Sequence, residues 1–241
     1  MTGATARRVL RTLRHDPRTV ALLLLVPCVL MGLFRWLFDN APAAFQHIGV
    51  PLLGIFPLVS MFLVSSITML RERRSGTLER LMSMPIHKLD LIGGYAAAFG
   101  TVAVVQAGLV CLVSTLGFGL DLDGNAVGLV GLAVLNALLG MALGLFVSAF
   151  ANTEFQAVQF FPAVVIPQLV LCGILGPRDL MAGPLQWLSD ALPLTYAYDG
   201  LTRLASGGAF AGTVSADVLI VAAYSVGALL LGSATLQRRT P

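Results

Sequence analysis

The sequence predicts an all-α polytopic membrane protein, and three observations predict it. Apolar residues make up 57% of the 241 and charged residues only 11%, with a mean hydropathy of +0.86; soluble domains average roughly half apolar and a quarter charged. The charges are clustered, so that six long stretches carry none at their centres. Glycine, proline, aspartate and arginine collect between those stretches, where turns and interfacial loops belong.

A charge at mid-bilayer costs about 2.5–3.5 kcal/mol on the insertion scale, so the charge-free runs mark spans at 19–38, 48–70, 91–116, 126–150, 156–175 and 214–236. Spans of about 20 residues each would use roughly half of the chain, and residues 1–241 read as one transmembrane domain. Ahead of the first span, ATARRVLRTLRH (4–15) sets Ala6, Val9, Leu10 and Leu13 on one helical face and Arg7, Arg8, Arg11 and Arg14 around the other. That is the pattern of an interfacial helix lying on an anionic leaflet, with a disordered basic tail as the alternative. The first apolar run continues to Arg35 and Trp36 with no small-residue cleavage site after it, so it is expected to stay as a span. Asp121 and Asp123, in GFGLDLDGN, split the next long apolar region into a helical hairpin. Residues 176–213 are too short and too broken by Pro184 and Pro193 to span, and they carry Trp187, Tyr196 and Tyr198, which suit an interface.

Lysine and arginine set the orientation. With the N-terminus inside, twelve basic residues fall on cytoplasmic segments and three (Arg35, Arg178 and Arg203) on the outer side, so both termini are expected in the cytoplasm. The same topology accounts for the net charge of +3 without a nucleic-acid partner.

Several chemistries are disfavoured. Ion-coupled carriers and intramembrane enzymes place ionisable groups deep in the bilayer, whereas Arg35, Glu154 and Asp217 all lie at span ends and His15, His47 and His87 outside the apolar cores. Cys28, Cys111 and Cys172 sit in apolar runs without CxxC or histidine neighbours and read as small core residues, so no metal site is expected. A phosphate-binding GxxxxGK[ST] loop needs a lysine after a glycine-rich turn, and the one lysine, Lys88, follows MPIH. No cofactor is expected on this chain, and ATP chemistry would belong to another one.

The segment RERRSGTLERLMSMPIHKLDLIGG (71–94) carries the most information. Gly76 breaks the helix, Thr77 can cap a new one, and Glu79 falls in its first turn, where the helix dipole favours an anion. Leu78, Leu81 and Met82 share a face, and Pro85 ends the run. This short amphipathic helix suits either a groove on a soluble partner or an anchor in the interface.

Residues 72–81, ERRSGTLERL, followed by Pro85, Asp90 and Gly93, resemble the loop between the second and third spans of ABC type-2 exporter permeases. Residues 143–204 resemble that family's C-terminal part, with a proline-bearing fifth span, the exit CGILGP, the segment PLQWLSDALPLTY and the closing DGLTRL. Single-domain permeases of bacterial drug exporters, of the daunorubicin-resistance type, are the most similar members.

The resemblance implies a permease in the bacterial cytoplasmic membrane. It would export a drug, lipid or glycan-linked substrate as a pair of permeases, both copies of this chain, with two ATPase subunits carrying ATP and magnesium. Glu72, Arg73, Arg74, Gly76, Thr77, Leu78, Glu79, Arg80 and Leu81 would form the coupling helix that docks in the ATPase, and 176–213 the outer re-entrant helices. Family architecture places the second and fifth spans at the substrate pathway, where Phe56, Phe62, Gln156, Gln159, Phe160 and Ala163 are the candidates. A membrane scaffold and an ion-coupled multidrug carrier are the rival readings. A scaffold has no need of the amphipathic loop, and a carrier needs a deep carboxylate.

Overall fold

The computed structural model describes residues 2–77, 80, 88–122, 125–207 and 212–235, with helices and no strand among them. The helices are α1 (Thr2–Arg14), α2 (Pro17–Leu37), α3 (Pro42–Arg74), α4 (Lys88–Leu116), α5 (Ala126–Val147), α6 (Glu154–Leu171), α7 (Gly183–Asp190), α8 (Pro193–Ala205) and α9 (Thr213–Thr235). Single 3-10 turns, Ser148–Phe150 and Arg178–Leu180, follow α5 and precede α7. Six of the helices, α2 to α6 and α9, are long and apolar enough to cross a membrane.

Their ends follow from local chemistry. The Asp16 carboxylate caps α2, accepting hydrogen bonds from the Thr19 amide (3.2 Å) and hydroxyl (2.6 Å), with Pro17 next in sequence. Asn125 caps α5 through Gly128 N (2.9 Å), and Thr153 caps α6 through Gln156 N (3.2 Å). The second span begins at Pro42, earlier than position 48, because proline's fixed φ suits a first helical turn. The fifth stops at Leu171, short of 175, since Gly173 turns the chain at φ +106°.

α3 and α5 form the centre. About two-thirds of the spanning window of α3 (67%) and 61% of that of α5 are buried, against 22% for α2 and α6 and 28% for α9, so the other spans surround this pair. Glycine permits the close crossing: a Cβ on Gly140 would strike the Leu58 backbone, and one on Gly144 the Phe62 carbonyl and the Ser65 hydroxyl. The Ser65 hydroxyl donates to Met141 O at 3.1 Å across the same contact. Gly140 and Gly144, four positions apart in GMALG, lie on the same face of α5, which is the face turned to α3.

α1 is helical as expected, but its apolar stripe is covered by protein. Val9 is 2% exposed and packs with Ala6, Leu10 and Leu13 into the cluster of Met69, Leu91 and Tyr95, leaving Arg7, Arg11 and Arg14 exposed.

Candidate functional site

The basic end of the bundle is organised by three consecutive residues of α3. Successive helical positions point about 100° apart, so Arg71, Glu72 and Arg73 reach three different elements. Arg71 grips Glu154 at the start of α6 with two hydrogen bonds, 2.9 and 3.1 Å. Glu72 accepts from Arg8 of α1 at 2.8 Å, and Arg8 also donates to the buried Tyr95 hydroxyl of α4 at 3.0 Å. Arg73 Nη1 donates to the carbonyls of Ser148 and Ala149 at 3.0 Å each, satisfying acceptors of the 3-10 turn that follows α5.

Beyond this knot the chain turns. Ser75 ends α3, its hydroxyl donating to Glu72 O (3.1 Å) and lying 2.9 Å from the Thr77 hydroxyl. Gly76 takes the left-handed φ of +70° that its missing side chain permits. Thr77 and Arg80 are helical again, and Arg80 N donates to Gly76 O at 3.1 Å. The expected break at Gly76 is thus present. Leu78, Glu79 and Leu81 lie outside the described residues. Of the other coupling candidates, Glu72 and Arg73 are partly buried, paired with Arg8 and with the Ser148 and Ala149 carbonyls, and Arg74 and Arg80 lie at exposed positions.

The pathway candidates divide. Gln156, Gln159 and Ala163 lie on the exposed side of α6, and Phe160 is half-buried toward Leu70, Ala151 and Ala157. Phe62 is wholly buried, its ring centroid 6.1 Å from that of Phe161 on α6. Phe56 is half-buried, 6.3 Å from Phe34 of α2. α3 and α6 therefore touch, but within one chain the glutamine face stays open while Phe62 turns inward.

At the opposite end, sequence reasoning missed a charge network. Arg178 bridges Asp190 (3.3 Å) and Asp199 (2.6 Å), and Arg203 bridges Asp199 (3.7 Å) and Asp217 of α9. Burial pushes the Asp199 carboxyl above the ordinary carboxylate range even with Arg178 and Arg203 beside it. The Ser189 hydroxyl donates to Leu171 O (2.8 Å), the Thr195 hydroxyl to Ser189 O (2.7 Å) and the Tyr224 hydroxyl to Ala191 O (2.8 Å). Together these bonds pin the short α7 and α8 to the end of α6 and the middle of α9. The signal was available as opposite charges at 178, 190, 199, 203 and 217, but their pairing depends on the turns between them.

Six spanning helices, two short helices pinned at one end and a basic knot at the other define a polytopic α-helical membrane protein. The family model described as ABC-2 type transporter matches residues 2–204, and the chain belongs to that family. It is 28% identical over 134 residues to ABC transporter G family member 20 of Dictyostelium discoideum, a match covering 56% of this chain and 18% of that protein. It is 28% identical over 142 residues to linearmycin resistance permease protein LnrN of Bacillus subtilis (strain 168), covering 59% and 37%. With the probable multidrug ABC transporter permease YbhS of Escherichia coli (strain K12) it shares 25% over 189 residues, covering 78% and 50%. Each match thus spans half or less of the relative's own length.

Proposed function

We propose that this chain is the transmembrane permease of an ABC exporter in a bacterial cytoplasmic membrane, driven by a separate ATPase that binds ATP and magnesium. Family membership supports the class, and the resistance and multidrug names of the bacterial relatives favour an amphipathic drug or lipid as substrate. The arginine and lysine distribution favours cytoplasmic termini.

The observation that carries the reading is the junction after Arg73. A coupling segment starting at Thr77 follows directly on residues fastened to α1, α6 and the turn after α5. In this reading the ATPase dimer closes on ATP, pushes that segment, and shifts α3 against α5, with α1 and α6 following its tied end. The tight α3–α5 crossing passes the movement toward α7 and α8, which act as the outer gate. A second copy of the chain completes the pathway, with Gln156, Gln159 and Ala163 of α6 facing it.

Substituting Leu78→Ala together with Glu79→Ala tests the reading. Export and substrate-stimulated ATP hydrolysis are expected to fall to background while membrane insertion stays normal. Wild-type export from that variant would overturn the coupling role of 72–81.

A further inference from the structure

Asn136 lies near the middle of α5, 0% exposed, with neither Nδ2 nor Oδ1 hydrogen-bonded to any described protein group. Other buried amides in the bundle are at least half satisfied. Gln106 donates to Leu23 O (2.9 Å) and Gln168 to Val164 O (2.8 Å). A doubly unpaired amide in an apolar core is a standing cost that a leucine, with the same branched heavy-atom skeleton, would not carry.

Its surroundings indicate what the amide could pair with. Asn136 Nδ2 is 3.0 Å from the place where a Cβ on Gly54 would sit, so the amide faces the α3 backbone at a position without a side chain. Leu201 of α8 closes the same spot, 2.6 Å from that Cβ position. One residue earlier, the Leu53 carbonyl lacks its normal helical donor, because position 57 is proline and has no N–H. Leu53 is itself 0% exposed. An unpaired donor on α5 and an acceptor short of a donor on α3 thus flank one crossing, where Gly140 and Gly144 bring the two backbones close.

We infer that Asn136 is a positioning residue for the transport cycle: in the alternate arrangement of α3 against α5 its amide donates to the Leu53 carbonyl. The cost of the unpaired amide in the present arrangement keeps the two arrangements close in free energy, which a bistable element requires. Substrate need not touch Asn136. The inference rests on the exporter reading for its functional half, and on the buried amide alone for its structural half.

The test uses the full chain in lipid nanodiscs, with its ATPase, as wild type, N136L, P57A and the double variant. N136L is expected to raise the thermal midpoint by about 2 °C or more, to lower ATP-driven turnover about tenfold, and to leave the KM for substrate within about twofold, because the binding surface is intact and only the switching step is impaired. P57A gives Leu53 O its helical donor and is expected to lower turnover similarly, with the double variant no worse than the poorer single. A lower midpoint in N136L, wild-type turnover in either single variant, or losses that multiply would each overturn the proposal. Wild-type protein without ATP-driven turnover would overturn the exporter reading instead, and the thermal shift would still decide the amide's role.

Discussion

Arg71 and Glu154 join the last turn of α3 to the first turn of α6 through two parallel hydrogen bonds of 2.9 and 3.1 Å. Both side chains are substantially exposed, 61% and 47%, so the pair contributes at most about 1 kcal/mol to stability. Its importance is geometric, since it ties the helix leading into the proposed coupling segment to the helix bearing the open glutamine face. Arg71→Glu and Glu154→Arg are each expected to reduce coupled ATP hydrolysis severalfold with a thermal midpoint close to wild type, and the charge-swapped double variant to recover most of it. Reconstituted ATPase assays check this, and equal activity in all four proteins would contradict it.

Gly140 rests against the Leu58 backbone, where no side-chain rotation can make room. Gly140→Ala is therefore expected to force α3 and α5 apart at a cost of about 1–3 kcal/mol, lowering the thermal midpoint and the yield of folded protein. Gly108 of α4 has nothing within 4 Å of its Cβ position, and Gly108→Ala is expected to be neutral or to stabilise by up to about 1 kcal/mol through helix propensity. Fluorescence-detected size-exclusion after heating separates the two.

Arg203→Met strands the Asp217 carboxylate, a residue 5% exposed, without its partner. Removing one member of a fully buried pair costs about 3–5 kcal/mol; with the Arg203 side chain 41% exposed, about 2 kcal/mol is expected here. The double variant Arg203→Met with Asp217→Asn should lose less than Arg203→Met alone, because no charge is then left unpaired. Thermal midpoints of the three proteins measure the difference.

The hydroxyl and the amide of Thr19, both donating to Asp16, hold the Asp16 carboxyl below the usual carboxylate range. A depressed folded value means that the cap's contribution is present above the unfolded pKa, near about 3.9, and is lost as pH falls through the lowered folded value. Amide exchange in the first turn of α2 is expected to quicken across that acid window in the wild type. Asp16→Asn keeps a capping oxygen without the titration, so its exchange should show no such acid step.

How far the sequence reaches depends on the distance over which each feature is decided. The six spans and the Gly76 break are legible because apolar length, charge and backbone freedom act within one segment. The pairing of Glu72 with Arg8 is hidden from the sequence because the two lie 64 positions apart and only the packing of α1 brings them together. The burial of Phe62 is likewise hidden, because the face a spanning phenylalanine presents is set by the neighbouring helix, here through Phe161 of α6. The stripe of α1 reads as a face for the anionic leaflet because its 3.6-residue period carries no record of a partner; Met69 of α3 and the start of α4 cover it. The two ion pairs of Arg178 share a single guanidinium, a geometry created by the turns before α7 and α8.

The exporter reading is tested most directly by native mass spectrometry of the chain purified in mild detergent from its own membranes. The account predicts a complex of two copies of this chain with two copies of an ATPase carrying a P-loop, and a complex that hydrolyses ATP. A chain that emerges alone, or only with itself, would contradict it.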